Sequence, residues 1–346
     1  MVAASTTASA AGDPLTMAAP VHPNPAARLH PALRPDRTSA VRRLLWRADG
    51  RFSPYIYMAP FFLLFIGFGL FPILYTGYVS LTNRELLRPG VETYNGLANY
   101  RELVGDDYFW NAVKNTFFLM VMCAVPQLVL ALVLAHILNA RLRFRTALRM
   151  GVLLPNVTSI VAVALVFAQI FSRDFGIVNW VLGLFGIDSI TWQSGDWTSR
   201  SAIAVMVIWR WTGYNALIYL GAMQAIPKEL FEAAALDRAG TWRQLWHITL
   251  PALRPTIAFT ALVSLIGQTQ LFTEPLLFDT SPGSVSGGSA RQFQTMALFM
   301  YEEGFRLGHL GYGAAVAWVM ILMTFVLAAI GYAITRRAVG TDGAAA

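Results

Sequence analysis

Residues 231–255 read "FEAAALDRAGTWRQLWHITLPALRP" and lie between two long apolar stretches. Glu232, Asp237, Arg238, Arg243 and Arg254 make the segment too charged to cross hydrocarbon. Its residues nevertheless favour regular structure. Pro227 suits the start of a helix, because its fixed φ matches the first turn and its missing N–H is not needed there. Residues 228–238 hold Glu, Leu and a run of Ala, all strong helix formers. Leu230, Ala233, Ala234 and Asp237 fall on one face by three- and four-residue spacing. Gly240 interrupts the helix, and Thr241 is placed to cap a second one carrying Trp242, Leu245, Trp246 and Ile248. Pro251 lacks the N–H that a continuing helix needs, which predicts a bend before the next apolar stretch. The expected product is a short helix-turn-helix across one end of a membrane bundle. An amphipathic helix resting on lipid and an ordinary connecting loop are the alternatives.

The rest of the chain supports a membrane setting. Of 346 residues, 56% are hydrophobic and only 13% charged, about half the charged share of a soluble domain. The apolar residues cluster in runs of about twenty, enough for a hydrocarbon core of roughly 30 Å. Six spans are expected, at about 55–81, 113–138, 150–171, 201–223, 256–277 and 311–335. The fold class is therefore all-α, a polytopic membrane protein with six transmembrane helices and a cytoplasmic helix-turn-helix loop at 227–254. Residues 1–50, rich in Ala, Pro, Thr and Arg, are expected to be a disordered tail, residues 51–338 the membrane domain, and residues 339–346 a disordered end. "SPGSVSGGSA", residues 281–290, reads as a flexible turn.

An even number of spans puts both ends on one side. The segments on that side carry 17 Lys and Arg, against 7 with eleven acidic residues on the other. The positive-inside rule makes the first side cytoplasmic. Arg42, Arg43, Arg47 and Arg51 stand just before the first span. The net charge of +7 then reflects orientation rather than nucleic-acid binding. Cys123, the single cysteine, excludes a disulfide within the chain.

Polar residues inside the spans are the candidates for chemistry. Arg210 falls nine residues into the fourth span, about 14 Å deep at the helical rise. A cation there either lines a pathway or forms a buried pair. Glu274, late in the fifth span, either lines an outer gate or reaches the headgroups. Ser264, Gln268, Thr269 and Gln270 also lie on the fifth span, with Ser264 and Gln268 on one face. They either pack helices by hydrogen bonds or meet the hydroxyls of a polar solute. Tyr214 and Asn215 add an aromatic face and an amide.

Glu232-Ala233-Ala234, then Asp237, then Ile248, Leu250 and Pro251 resemble the cytoplasmic "EAA" loop of ABC importer permeases. The family pattern has Gly at the position of Arg238, and the nearest glycine here is Gly240. The run "WRWTGYNALIYLGAMQAIPKELFEAA", residues 209–234, resembles the sugar-transporting branch, the maltose and glycerol-phosphate type. The likeness covers roughly residues 52–337. It implies that Glu232, Ala233, Ala234, Asp237, Gly240, Ile248, Leu250 and Pro251 form a coupling loop on cytoplasmic ATP-binding subunits. It also implies that Tyr214, Ser264 and Gln268 line a sugar site, with Thr269 beside them and Asn215 and Arg210 on the same pathway. The implied setting is the plasma (inner) membrane, among membrane lipids, with both termini cytoplasmic. The implied partners are a second homologous permease subunit, an extracytoplasmic solute-binding protein and a carbohydrate, an oligosaccharide in this reading, with no nucleic acid.

The chain has no G-x-x-x-x-G-K-[ST] loop and only two lysines, so ATP hydrolysis is expected from a separate subunit. The five histidines do not cluster at metal spacing, and no catalytic triad is evident. No cofactor or metal is expected, and the chain is not read as an enzyme. Two alternatives stay open: a permease for glycerol phosphate or a polyamine, and a transporter driven by an ion gradient, which would call for internal repeats and several buried carboxylates. A non-transporting scaffold is a third.

Overall fold

The computed structural model describes residues 53, 55–88, 90, 92–140, 143–278 and 286–340. The expected tail at 1–50, residues 341–346 of the expected disordered end, and residues 281–285 of the expected turn lie outside these. The chain divides into two compact units, residues 1–69 and 70–346. All interactions described below belong to the second.

Among the described residues the secondary structure is helical apart from turns and one isolated bridge, Thr82 to Tyr94. Helix α1 covers Tyr55–Val79, α2 Ala98–Gly105, α3 Asp107–Asn139, α4 Arg145–Val157, α5 Ile160–Ile170 and α6 Ile177–Leu184. Helix α7 covers Asp196–Gln224 and α8 Lys228–Leu236. Helix α9 runs Thr241–Thr269, α10 Thr273–Phe278, α11 Met296–Tyr301 and α12 Leu310–Gly340.

Each expected span falls on helix, but not always on one helix. Among the described residues, four helices are long and apolar enough to cross a membrane: α1, α3, α9 and α12 up to Ala333. Helices α4 and α5 count as a fifth if taken as one broken span. The expected fourth span lies inside α7, which is long enough, but its Trp-Arg-Trp-Thr-Gly-Tyr-Asn centre makes it more polar. The third span is not the single rod expected, since α4 and α5 meet at 89°. Pro155 deprives the last turn of α4 of an N–H. Thr158 then leaves the helical region and returns both its N–H and its hydroxyl to the Leu154 carbonyl, at 3.1 and 2.8 Å. The fifth span also breaks, between Thr269 and Thr273.

Pro251 does not bend the chain as its sequence position suggests. Helix α9 passes through it continuously, because Leu245–Thr249 form a π-helical turn just before Leu250. The widened turn accommodates the proline next to the missing donor, so the second helix of the charged loop and the fifth span are one element.

Helices α3 and α7 form the centre. Ala131 and Ala135 of α3 pack with Ala216, Tyr219, Leu220 and Met223 of α7 and Leu253 of α9. Further along, Leu119 and Cys123 meet Ala202, Ile203 and Val207. Small residues at such contacts let backbones approach, which is how helices associate where water provides no driving force. Gly213 is the extreme case, since a Cβ there would lie 1.8 Å from the Val152 carbonyl oxygen of α4.

At the far end of the same helices, Arg200 is buried and donates to Asn115 Oδ1 at 2.9 Å and to the Gln292 carbonyl at 3.0 Å. Asn115 in turn donates to the carbonyls of Arg291 and Gln294. Buried Glu302 accepts from Ser286, Arg291 and Gln294. The described part of the expected flexible turn is thus pinned at Ser286.

Candidate functional site

Three helices converge on a cavity of about 360 Å³. Helix α7 contributes Arg210, Trp211, Tyr214 and Asn215; α9 contributes Ser264 and Gln268; α3 contributes Gln127. The break after Thr269 brings Phe272, Thr273 and Glu274 to the same wall. Five of the six candidate pathway residues, Arg210, Tyr214, Asn215, Ser264 and Gln268, therefore meet at one place. Thr269 does not. It is fully buried one helical step away, donates to the Ile266 carbonyl at 2.7 Å and faces Thr324 of α12 at 3.3 Å.

The polar wall is organised by Gln127, which the sequence reading missed. Its amide donates to Ser264 Oγ at 3.3 Å, and its carbonyl accepts from Gln268 Nε2 at 3.2 Å. Gln127 is buried within the apolar run "VPQLVLALV". A lone amide in such a run is costly unless it is hydrogen-bonded, and that is the signal that could have found it. Gln268 Oε1 is buried without a hydrogen-bond partner. Tyr214 and Trp211 pack edge to face, with centroids 5.9 Å apart, and both rings are partly exposed. The cavity thus offers an aromatic surface, two linked amides and a hydroxyl.

Arg210, whose role the sequence left open between pathway and buried pair, and Glu274, left open between an outer gate and the headgroups, are neighbours in the same wall. Arg210 Nη1 lies 3.9 Å from Glu274 Oε1, and the guanidinium stands 5.6 Å from the centre of the Trp211 ring. They form a buried pair that also lines the cavity, so the two readings of Arg210 merge. Glu274 does not reach the headgroups, since it is buried beside Arg210 of α7.

The charged loop lies at the other end of α7 and α9. Glu232, Ala233 and Ala234 sit on α8, none of whose residues is buried. Asp237 is the C-cap of α8. Arg238 follows with φ +56°, in the left-handed region. The Ala239 N–H donates to the Ala234 carbonyl at 2.9 Å and the Arg238 N–H to the Ala235 carbonyl at 3.0 Å. This is the Schellman pattern, whose left-handed position normally takes glycine. The family's glycine is therefore a backbone requirement, which Arg238 meets under strain. Gly240, in extended conformation, is the N-cap of α9, with no side-chain cap bond at this end. Thr241 is the first helical residue rather than the expected cap. Gln244 holds the turn by donating to the Ala239 carbonyl at 2.9 Å. Ile248 lies in the π turn, and Leu250 and Pro251 continue α9.

Apolar helices around a polar cavity, with an exposed charged helix pair joined to the cavity wall by one helix, define a multi-pass membrane transport subunit. The chain belongs to the family described as binding-protein-dependent transport system inner membrane component, whose pattern matches residues 116–339. It is 32% identical over 278 residues to the arabinooligosaccharides transport system permease protein AraP of Halalkalibacterium halodurans, covering 79% of this chain and 84% of that protein. It is 34% identical over 288 residues to the lactose transport system permease protein LacF of Rhizobium radiobacter, covering 82% and 94%. Its fold matches a chain of a bacterial alginate ABC transporter solved in complex with an alginate pentasaccharide-bound periplasmic protein. The TM-score is 0.73 at 23% identity, covering 85% of this chain and 97% of the other.

Proposed function

We propose that this chain is the permease subunit of an ATP-driven importer for a neutral carbohydrate, most simply an oligosaccharide. The observation that carries the reading is the single cavity in which Tyr214, Asn215, Ser264 and Gln268 meet. Aromatic rings stack on the apolar faces of pyranoses, and amide and hydroxyl groups exchange hydrogen bonds with sugar hydroxyls in a site that is otherwise apolar. The relatives AraP and LacF bear the names of arabinooligosaccharide and lactose transport, which agrees with such a lining.

The remaining assignments complete the machine. The helix pair at 228–250 is the cytoplasmic contact with separate ATP-hydrolysing subunits, so both termini are cytoplasmic. Glu232 and Asp237 hold the contact while Ala233 and Ala234 permit close approach. A second, homologous permease completes the pathway, and an extracytoplasmic solute-binding protein delivers the sugar. Closure of the ATPase pair tilts α8 and α9, and the cavity opens alternately to the two sides.

The test is disulfide crosslinking. With Cys123 replaced, a cysteine at Ala234 should link to a cysteine in the docking cleft of the co-expressed ATPase, with a yield that changes on ATP binding. No link in any nucleotide state, with both proteins assembled in the membrane, would remove the coupling assignment.

A further inference from the structure

The inference rests on the carbohydrate reading above and concerns which carbohydrates the cavity accepts. Its polar lining is neutral except for Arg210 and Glu274, which both face it. Their side chains are 15% and 5% exposed, and the Nη1–Oε1 distance is 3.9 Å. This is a contact between opposite charges, not the parallel two-bond clamp that guanidinium and carboxylate form when they fully satisfy each other. Arg210 Nε is buried with no hydrogen-bond partner. Arginine with unused donors is the side chain best suited to a planar carboxylate. Without Glu274, the cavity would therefore be a receptor for a sugar acid.

One feature opposes that. The Glu274 carboxylate, itself buried, stands beside the guanidinium where a second carboxylate would have to arrive, and two carboxylates cannot comfortably share a cation in a poorly solvated place.

We propose that Glu274 is a specificity-determining residue: by cancelling the charge of Arg210 inside the cavity, it makes the pathway accept neutral saccharides and reject those carrying a uronate.

The experiment uses the assembled transporter in lipid nanodiscs, with Cys123 replaced and a reporter cysteine at Val263, an apolar residue of the cavity wall. The rate of reporter alkylation measures occupancy directly, without the selectivity of the binding protein. The probes are lactose, diacetylchitobiose, digalacturonate and the glucosamine disaccharide, whose amines are protonated. In the parent protein a neutral disaccharide should slow alkylation and digalacturonate should not. Glu274→Gln should lower the digalacturonate concentration needed for protection more than about tenfold, since like-charge contacts outweigh one tenfold step. The double variant Arg210→Gln/Glu274→Gln should lose that gain. Should Glu274→Gln fail to assemble, Arg210→Gln carries the same test with the sign reversed, through a gain of about tenfold or more for the glucosamine disaccharide.

Unchanged digalacturonate protection in Glu274→Gln, or an equal gain in the double variant, overturns the charge filter alone. If no neutral disaccharide protects the parent cavity at any concentration, the carbohydrate reading falls, and the filter with it.

Discussion

The left-handed residue at the end of α8 permits a quantitative prediction. Arg238 has φ +56° in a position closed by the Ala239–Ala234 hydrogen bond of 2.9 Å. An L-residue in this region carries about 1–2 kcal/mol of steric cost, because its Cβ crowds the following carbonyl. Glycine removes that cost but gives up about 0.5–1 kcal/mol more backbone freedom on ordering. Arg238→Gly should thus stabilise the closed turn by about 0.5–1 kcal/mol, a factor of roughly two to five in the opening equilibrium. Amide hydrogen exchange of the segment 234–244 in the assembled transporter, followed by mass spectrometry, should slow by that factor. Arg238→Ala keeps the Cβ and removes the charge, so it should leave exchange nearly unchanged. Equal slowing in both variants would show that the side chain, not the backbone, governs the turn. Faster exchange in Arg238→Gly would refute the strain itself.

Two further outcomes follow from the packing. Gly213→Ala should destabilise the folded protein by about 1–3 kcal/mol, the usual cost of overpacking, because the new Cβ would lie 1.8 Å from the Val152 carbonyl; Gly221→Ala, with nothing within 4 Å, should be neutral or slightly stabilising, and paired thermal melts in detergent compare them. Gln127→Leu should cost about 0.5–2 kcal/mol, because the links to Ser264 and Gln268 are lost within a membrane interior, and an unchanged melting temperature would show that the amide chain contributes nothing to holding α3 on α9.

Much of this arrangement was readable from the residues, for reasons tied to distance along the chain. Tyr214, Asn215 and Arg210 share α7, and Ser264 and Gln268 share a face of α9, so helical spacing groups them before any tertiary contact is known. Thr269 shows the limit of that reasoning, since one further residue rotates the side chain by about 100°, away from the cavity and toward Thr324. Gln127 comes from α3, more than a hundred residues before its partners, and no local pattern joins them. Glu274 was left open between an outer gate and the headgroups, because nothing local to the fifth span shows that it meets Arg210 of α7. Pro251 misled in the opposite direction, because a proline's missing donor predicts a bend only where the preceding turn keeps α-helical pitch. The π turn at Leu245–Thr249 lifts that condition.

That same turn leaves α9 as one rod from Thr241 to Thr269. At 1.5 Å per residue it is about 43 Å long, with the exposed loop at one end and Gln268 near the other. Such a rod acts as a lever. If it pivots near its middle, a tilt of about 5° moves each end by about 2 Å in opposite directions, as follows from that length. A shift of this size at Gln268 is comparable to the difference between a formed and a broken hydrogen bond. A small stroke delivered at the loop would therefore suffice to release or remake the amide contact with Gln127, and stiffness of the rod, rather than reach of the loop, would set how efficiently the stroke is used.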